Sequence, residues 1–316
     1  MRPADPRRRG ARRPPGSQGP GPMPGAVLGP LELEMARRTS SPLSGDRPAP
    51  GVGQGTEIAQ LRPYQPGDDV RRLDPAATAR TGQPHVRLQV PERQLTTWMV
   101  LDMSASMAFG TAERLKSDVA EGAALTIGRI ATRRGGRLGI VTSGTEHERR
   151  LPPRGGRTGY VALTRVLEEG VGPDGSGHDD ALTVALERTG RLASRTGLVC
   201  VISDFRGPRT WRRALTSLAH RHSILAIEVR DPREGALPDV GQLSLIDPET
   251  GKHLRVDSSD RRLRQRYEAS ERHQRHQVAA DLRRAGARHV VLRTDRPWLR
   301  DLGRELSAGA HHGVRR

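Results

Sequence analysis

From Thr97 onward the sequence alternates short apolar runs with longer segments of helical periodicity, and this alternation limits the fold more than any other feature. Trp98–Leu101 is the first apolar run, and apolar residues between Leu115 and Ile130 then recur at helical spacing. A second apolar run, Leu138–Thr142, follows. Strands that alternate with helices of about 10 or more residues form βαβ units. The sequence therefore predicts an α/β domain with a mainly parallel sheet that is covered by helices on both faces.

The same patterns predict the remaining elements of this domain. The expected helices are Tyr160–Leu167, Ala181–Leu192, Thr210–His220, Ser259–Ala285 and Trp298–Leu306. The expected strands are Leu198–Ser203, Ser223–Val229 and His289–Leu292, with an edge strand at His147–Leu151. Leu243–Ile246 and His253–Val256 flank a turn that contains Pro and Gly, and they predict a hairpin.

Composition and pattern divide the chain into four segments. Residues 1–55 are rich in Arg, Pro and Gly and are expected to be a disordered basic tail, with a short helix near Leu31–Arg37. Residues 56–93 are predicted to be an extended segment, with strands at Ile58–Tyr64 and His85–Val90 and a Gly-Asp-Asp turn between them. Residues 94–308 are the α/β domain, and residues 309–316 are expected to be a second disordered tail.

Several classes of protein are excluded by composition. The apolar runs are far shorter than the roughly 18–20 residues that cross a bilayer, and a single cysteine, Cys200, excludes an internal disulfide. Cys200 lies in an apolar run and is expected to be a buried, inert thiol. No apolar stretch follows the N-terminal arginines, so a secretion signal is not predicted. These features predict a cytoplasmic protein.

The net charge of +17 allows two interpretations. Arginine near phosphates gives sequence-independent affinity for nucleic acids, which makes a polyanion partner one hypothesis. However, only Lys116 and Lys252 among 53 basic residues are lysines, and Ala, Gly and Pro are abundant. This composition is typical of a GC-rich coding sequence. The compositional bias is the preferred interpretation, and binding to a nucleic-acid backbone is the alternative.

Acidic and hydroxyl side chains follow two of the predicted strands where each strand ends. Ligands of an open α/β sheet bind outside the carboxyl ends of the strands, and Mg²⁺ prefers oxygen ligands that include one or two carboxylates. The sequence thus predicts a Mg²⁺ (or Mn²⁺) site formed by Asp102, Ser104, Ser106 and Asp204. The alternative is that Asp102 and the two serines only cap the helix that follows.

At these residues the sequence resembles von Willebrand factor A domains, whose metal-ion-dependent adhesion site begins with Asp-x-Ser-x-Ser. It is also similar to the bacterial family called domain of unknown function 58 (DUF58). The matching positions are Tyr64, Gly67-Asp68-Asp69, Arg71, Asp74, Ala79-Arg80, Leu101 to Met107, Ile202 to Phe205 and Asp231-Pro232-Arg233-Glu234. The resemblance covers about Leu61 to Leu306 and implies a three-layer, Rossmann-type von Willebrand A-like fold. It also implies a MoxR-type AAA+ ATPase as partner, since family members are often paired with such ATPases.

Two positions depart from the family pattern. Pro75 stands where the family usually has Trp. The third loop of the metal site in von Willebrand A domains supplies a Thr, whereas the corresponding stretch here, residues 176–182, contains none. Ser176, Asp179 or Asp180 could substitute as the metal ligand, and a carboxylate there would make the site more negative. Alternatively, Asp179 simply caps the following helix.

Other chemistries have little support in the residues. A haloacid-dehalogenase-type phosphatase needs a second Asp where Ser104 stands, no GxSxG elbow surrounds Ser104 or Ser106, and no P-loop occurs. His273 and His276 are expected on a solvated basic face rather than at a metal.

No catalytic residue is therefore predicted. The sequence predicts a non-enzymatic, metal-dependent protein-binding module. It would act as an adaptor or co-chaperone for a MoxR-type AAA+ ATPase, which would supply an acidic ligand to the metal. Polyanion binding is the alternative, and a hydrolase is the weakest of the three hypotheses.

Overall fold

The computed structural model describes residues 16–23, 58–66, 68–89, 95–110, 113–133, 135–172, 180–247 and 252–308. The chain forms two compact units: the main unit, residues 1–41 with 95–316, and the small unit, residues 42–94. The predicted helix near Leu31–Arg37 and the C-terminal tail from residue 309 lie outside the described residues.

The small unit contains a two-stranded antiparallel sheet and one short helix. Its elements are β1 (Ile58–Pro63), α1 (Pro75–Thr81) and β2 (His85–Gln89). Both strands were predicted from the sequence, whereas α1 was not. The carboxylate of Asp74 caps α1 by accepting a hydrogen bond from Ala77 N at 2.8 Å. Pro75 occupies the first helical position, where a missing N–H is tolerated. The departure at Pro75 therefore has a local structural explanation.

Aspartates of the Gly-Asp-Asp turn also have local partners. Asp68 accepts hydrogen bonds from Arg62 Nη2 at 2.6 Å and from Gln65 N at 2.8 Å. Asp69 accepts from Arg71 N at 3.0 Å and caps a short 3-10 helix. These bonds satisfy backbone donors at turn and helix starts, as Asp commonly does. The motif thus shapes the backbone of the small unit.

A six-stranded sheet forms the centre of the main unit. Its strands are β3 (Thr96–Asp102), β4 (Arg137–Ser143), β5 (Arg150–Gly155), β6 (Leu198–Ser203), β7 (Ser223–Arg230) and β10 (Arg288–Arg293). The order across the sheet is β10-β7-β6-β3-β4-β5. Only β5 is antiparallel to its neighbour, which confirms the predicted mainly parallel sheet. The edge strand was predicted at His147–Leu151, and the observed edge strand, β5, begins at Arg150.

Six helices and one hairpin complete the main unit in its described part. The helices are α2 (Lys116–Ala131), α3 (Gly156–Glu168), α4 (Ala181–Leu192), α5 (Trp211–Ala219), α6 (Arg261–Arg284) and α7 (Trp298–Ala308). The hairpin pairs β8 (Gln242–Ile246) with β9 (His253–Asp257). All of these lie within a few residues of their predicted positions.

Side chains alternate along the central strands and fill two separate cores. On β3, Met99 and Leu101 belong to one core, while Trp98 and Val100 belong to the other. Helices α2, α3 and α7 cover the first core, and helices α4, α5 and α6 cover the second. A sheet that is apolar on both faces requires this double cover. The main unit is thus a three-layer α/β domain.

Residues 16–23, which belong to the tail of residues 1–55 that was predicted to be largely disordered, contact two helices of the main unit. The carboxylate of Asp118 in α2 accepts hydrogen bonds from Ser17 Oγ at 2.5 Å and from the backbone N–H groups of Gln18 and Gly19 at 3.1 Å. Trp298 Nε1 donates to Pro20 O at 2.9 Å. A low-complexity segment is therefore held in place by buried polar groups of two helices, which its own composition could not reveal.

Candidate metal site

The strand order creates a crevice at the centre of the main sheet. β3 lies between β4 and β6, so the chain leaves β3 toward one edge of the sheet and leaves β6 toward the other. Ligands of doubly wound sheets bind at such a switch point, outside the carboxyl ends of the strands. Asp102 ends β3, Ser203 ends β6, and Asp204 follows directly. The first and last loops of the predicted site therefore meet here.

The loop after β3 gathers three oxygen-bearing side chains. Asp102 Oδ1 accepts a hydrogen bond from Ser104 N at 3.0 Å, which folds the loop back toward the strand end. Ser104 Oγ lies 3.1 Å from Ser106 Oγ, and both side chains are buried. Ser203 Oγ donates to Asp102 Oδ2 at 2.5 Å. The two strand ends are thus joined through Asp102.

Close packing of the turn after β4 holds this loop in place. Met103 N donates to Ser143 O at 2.9 Å. Gly144 adopts a φ of 81°, and a Cβ there would lie 2.6 Å from Ser104 Cβ. Glycine is required at this position both by its backbone conformation and by the space available. The sequence signal was a glycine at the end of a strand opposite the Asp-x-Ser-x-Ser loop.

Asp102 carries a charge that the protein only partly compensates. Burial, followed by the nearby charge of Asp204, raises the pKa of Asp102 to about 6, although hydrogen bonds from Ser203 and Ser104 act in the opposite direction. Among the described residues, no basic side chain forms an ion pair with Asp102. A bound cation would favour the ionised carboxylate.

Asp204 has a different environment, because the buried side chain of Lys116 reaches it. Lys116 Nζ lies 2.5 Å from Asp204 Oδ2 and 2.6 Å from Glu234 Oε1. Burial on its own would raise the pKa of Asp204, but the Lys116 ammonium lowers it below its ordinary value. In the sequence Lys116 stood out only as one of two lysines, and its place in the site was not predicted. A rare lysine ten residues after Ser106, among many arginines, was the available signal.

The third loop is only partly described. Ser176 and Asp179 lie outside the described residues. Asp180 directly precedes α4, is exposed, and accepts a hydrogen bond from Thr210 Oγ1 at 2.9 Å. Thr210 Oγ1 also lies 2.7 Å from Thr183 Oγ1. Asp180 is therefore bound to the hydroxyl of Thr210, which in turn contacts Thr183, and Asp180 stays a candidate ligand by prediction alone.

A cavity of about 280 Å³ opens beside the strand ends. Its described lining consists of Asp102, Ser104, Ser106, Ala181, Leu182, Ser203, Asp204, Phe205, Arg206, Gly207, Pro208, Trp211 and Asp247. All four residues of the predicted metal site belong to this lining.

Trp211 is almost fully buried, and its Nε1 has no acceptor among the described residues. Phe205 adopts a φ of 51°, a strained conformation for a bulky residue, as often occurs at functional sites.

Helix α6 supports the loop after β6 from outside the cavity. Arg275 Nη1 donates to Asp204 O and to Glu228 Oε1, both at 2.8 Å. Arg206 forms two hydrogen bonds with the Glu271 carboxylate, at 3.1 and 2.7 Å. Two-point arginine–carboxylate pairs fix orientation as well as distance. Arg275 of the long helix is therefore structural, and it holds the backbone carbonyl of Asp204.

Other candidate residues lie away from this site. His273 and His276 are exposed on α6, in agreement with the predicted solvated face. Cys200 is fully buried in β6, and burial raises the pKa of its thiol to about 12, which confirms the predicted inert thiol. Among the described residues, no three His, Cys, Asp or Glu side chains cluster as a metal site.

The three layers, the strand order and the acid–hydroxyl loops at the switch point define a von Willebrand A-like α/β domain. The chain belongs to the family described as protein of unknown function DUF58, whose sequence profile matches residues 60–277. It is 42% identical over 284 residues to uncharacterized protein Rv1480 of Mycobacterium tuberculosis, covering 90% of this chain and 89% of that protein. Uncharacterized protein Mb1516 of Mycobacterium bovis is similar to the same extent.

Solved structures show weaker likeness. The conserved hypothetical protein BatB from Bacteroides thetaiotaomicron is 17% identical, with a TM-score of 0.41, and the match covers 69% of this chain and 99% of that one. A von Willebrand factor type A protein from Catenulispora acidiphila is 16% identical, with a TM-score of 0.32, over 43% of this chain and 33% of that one. Within the described residues, no helix has the length and apolar character needed to span a membrane.

Proposed function

We propose that this chain is a non-enzymatic binding module that captures an acidic group of a partner protein through a bound Mg²⁺ or Mn²⁺. Asp102, Ser104 and Ser106 would hold the metal, and Asp204 would contribute from the opposite loop, in part through water. The observation that supports this proposal is the half-buried Asp102 side chain, which shares a cavity with two serine hydroxyls and has no basic partner among the described residues.

The residues present fit a hard divalent cation. Mg²⁺ is typically bound through one or two carboxylates, with waters or ligand oxygens in the remaining positions. Asp102, Ser104 and Ser106 supply oxygens of this kind from one loop. The bound metal would supply positive charge that attracts a carboxylate of the partner. The raised pKa of Asp102, about 6, is consistent with a carboxylate that lacks a compensating cation.

The cavity also supports binding rather than hydrolysis. Nucleophilic serine chemistry needs a base within hydrogen-bond reach of the hydroxyl. In the described lining of the cavity there is no histidine, and the hydroxyls of Ser104 and Ser106 are close to each other. Arg206 and Trp211, which also line the cavity, carry donors that suit an anionic group. We therefore assign no catalytic residue.

The proposed partner is a MoxR-type AAA+ ATPase, with this chain acting as its adaptor or co-chaperone. Membership of the DUF58 family supports this choice of partner, since family members are often paired with such ATPases. An acidic side chain of the partner would complete the metal coordination. Electrostatic attraction between the basic chain, with its net charge of +17, and an acidic partner surface would speed their association.

Calorimetry of Mn²⁺ and Mg²⁺ binding tests the metal site directly. We expect measurable binding by the wild type and at least a tenfold loss of affinity in Asp102→Ala, a typical minimum for disturbing a metal site. Asp239→Ala is the matched control, because Asp239 is 62% exposed and does not line the cavity. Equal affinity in the wild type and Asp102→Ala would exclude the proposed role of Asp102.

An affinity pull-down with Mg²⁺ or with EDTA then tests the partner. A AAA+ protein is expected among the captured proteins only when Mg²⁺ is present, and Asp102→Ala should abolish its capture. Capture that is unchanged by EDTA would show that the interaction does not depend on the metal.

Binding of a polyanion is a second candidate function, and a groove on the surface of the main unit supports it. A groove of about 530 Å³ between α5 and α6 is lined by Arg212, Arg213, His220 and Arg284, among other residues. Asp281 in the same groove pairs with Arg212 and Arg284 and offsets part of their charge. This groove could contact phosphates without reading bases.

A further inference from the structure

The most unusual group near the site is the ammonium of Lys116. Lys116 is the first residue of α2, and its side chain is fully buried. Its Nζ donates to Asp204 Oδ2 at 2.5 Å and to Glu234 Oε1 at 2.6 Å. The ring of Phe109 lies 5.9 Å from the same Nζ, close enough for a cation–π contact. One lysine thus sits between two carboxylates at the edge of the cavity.

Burial makes this arrangement costly unless the charge stays paired. The two carboxylates and the aromatic ring compensate the Lys116 ammonium, and the side chains of Asp204 and Glu234 are themselves only 4% and 12% exposed. The Lys116 side chain itself has no exposed surface. The ammonium is therefore a fixed cation of the site, unlike the flexible lysines found on protein surfaces.

The Lys116 ammonium compensates one of the two carboxylates of the site and leaves the other without an ion pair. Asp204 Oδ2 binds Lys116, and Asp204 Oδ1 accepts a hydrogen bond from Arg206 N at 3.0 Å. Both oxygens of Asp204 are thus engaged. On the other side, Asp102 has hydrogen bonds from serines and no ion pair within the described residues. Uncompensated negative charge is therefore concentrated on Asp102.

We propose that Lys116 is a built-in cation that occupies Asp204, so that Asp102, Ser104 and Ser106 hold the metal and Asp204 is not a direct ligand. Lys116 also lowers the metal affinity of the site, because its charge lies beside the position where a second cation would bind. This inference depends on the proposed function and defines which of its residues bind the metal.

If the ion pair between Lys116 and Asp204 has a purely structural role, a different experimental result is expected. If Lys116 only ties α2 to the loop after β6, removing its charge changes stability and leaves metal affinity unaltered. If Lys116 occupies Asp204, removing its charge frees a carboxylate for the metal. Metal affinity, rather than stability, therefore separates the two roles.

The test is Mn²⁺ calorimetry on the full-length wild type, Asp204→Asn, Lys116→Met and the double variant. Methionine keeps the length of the lysine stem and removes its charge. We expect Asp204→Asn to weaken metal binding by clearly less than Asp102→Ala does, and by no more than the roughly 10–100-fold that is typical of outer partners of a metal. Lys116→Met should raise affinity by about tenfold or more, and adding Asp204→Asn to it should cancel the gain.

Two results would overturn the proposal. One is a loss of affinity in Asp204→Asn as large as that in Asp102→Ala, which would make Asp204 a direct ligand. The other is a folded Lys116→Met protein whose affinity equals that of the wild type. Circular dichroism establishes whether Lys116→Met folds, and if it does not, the result for Asp204→Asn decides alone.

The outcomes also separate this proposal from the proposed function. Metal binding by the wild type that Asp102→Ala abolishes, combined with a large loss in Asp204→Asn, supports the proposed function and rejects the role of Lys116. Binding by Lys116→Met but not by the wild type supports the role of Lys116 and rejects a metal-dependent function. Binding by neither protein rejects both.

Discussion

Glu228 shows how this protein stabilises a charge in its interior. The side chain is fully buried in β7 and accepts hydrogen bonds from Arg230, Arg275 and His289 at 2.7–2.8 Å. Burial on its own would raise the pKa of Glu228, but the bonds from His289 and Arg230 lower it from an ordinary value of 4.5 to about 2. The same arginine, Arg275, also holds the backbone of Asp204. The charge of Glu228 therefore contributes both to stability and to the support of the site.

The lowered pKa of Glu228 predicts the direction of a pH effect. Because the folded state holds the ionised form more tightly than the unfolded chain, this stabilisation is complete above about pH 4.5 and is lost as the pH falls toward 2. The shift corresponds to roughly 3 kcal/mol. We expect Glu228→Gln to lower the free energy of unfolding by that order near pH 7, and by much less near pH 2.

Urea denaturation at several pH values provides this measurement. Glu187→Gln is the control, since Glu187 is exposed on α4. A difference between wild type and Glu228→Gln that stays constant from pH 7 to pH 2 would contradict the assigned ion-pair stabilisation.

Helix α2 contacts several parts of the main unit. Lys116 at its start binds Asp204 of the cavity lining, Asp118 binds the segment of residues 16–23, and the inner face of α2 packs on the sheet. Gly122 allows the ring of Trp298 to lie against the helix, because a Cβ there would be 2.3 Å from Trp298 Cζ2 and 2.9 Å from Pro20 Cβ. A single helix thus connects the tail segment, α7 and the candidate site.

Replacing Gly122 tests this packing. Gly122→Ala should lower the free energy of unfolding by about 1–3 kcal/mol, because the added methyl group overlaps a buried ring. Gly190→Ala in α4 is the matched control: its Cβ would lie 3.6 Å from Leu218 Cδ2, an ordinary contact. Alanine in a helix interior should then stabilise by up to about 1 kcal/mol. Similar effects of the two substitutions in thermal or urea unfolding would count against the packing described for Gly122.

For the molecule as a whole, the arginines that contribute to the net charge of +17 fall into two groups. Some arginines are structural, as Arg206 and Arg275 pair with buried or half-buried carboxylates. Others, such as Arg212 and Arg284, are 54% and 70% exposed beside the groove between α5 and α6. Only the second group is available to an external polyanion.

Binding to duplex DNA tests the whole-molecule charge. We expect any affinity to be independent of base sequence and to fall at least about tenfold between 50 and 200 mM salt, since phosphate contacts release counterions. The chain has only 3% aromatic residues and lacks a stacking platform for bases. Fluorescence anisotropy with two unrelated oligonucleotides measures both properties. Affinity that depends on the oligonucleotide sequence would contradict this expectation.

The positions of Asp102 and Asp204 were predictable because they depend on local patterns. Each follows a short apolar run, and consecutive parallel strands bring their carboxyl ends to one edge of the sheet. The helix α1 was not predicted, since it is short and lies between two turns. The third loop could not be assigned, because Asp180 binds Thr210, which lies 30 residues further along the chain.

By itself, the sequence determined the alternation of strands and helices, the mainly parallel sheet and the acids and hydroxyls at two strand ends. These features follow from periodicity and chirality, which act over a few residues. Only the tertiary structure brought Lys116 into contact with Asp204 and Glu234, and residues 16–23 into contact with Asp118. The partners in these contacts are about 90 to 120 residues apart in the chain. Their meeting depends on the packing of the whole domain, which decides how the charges of the site are compensated.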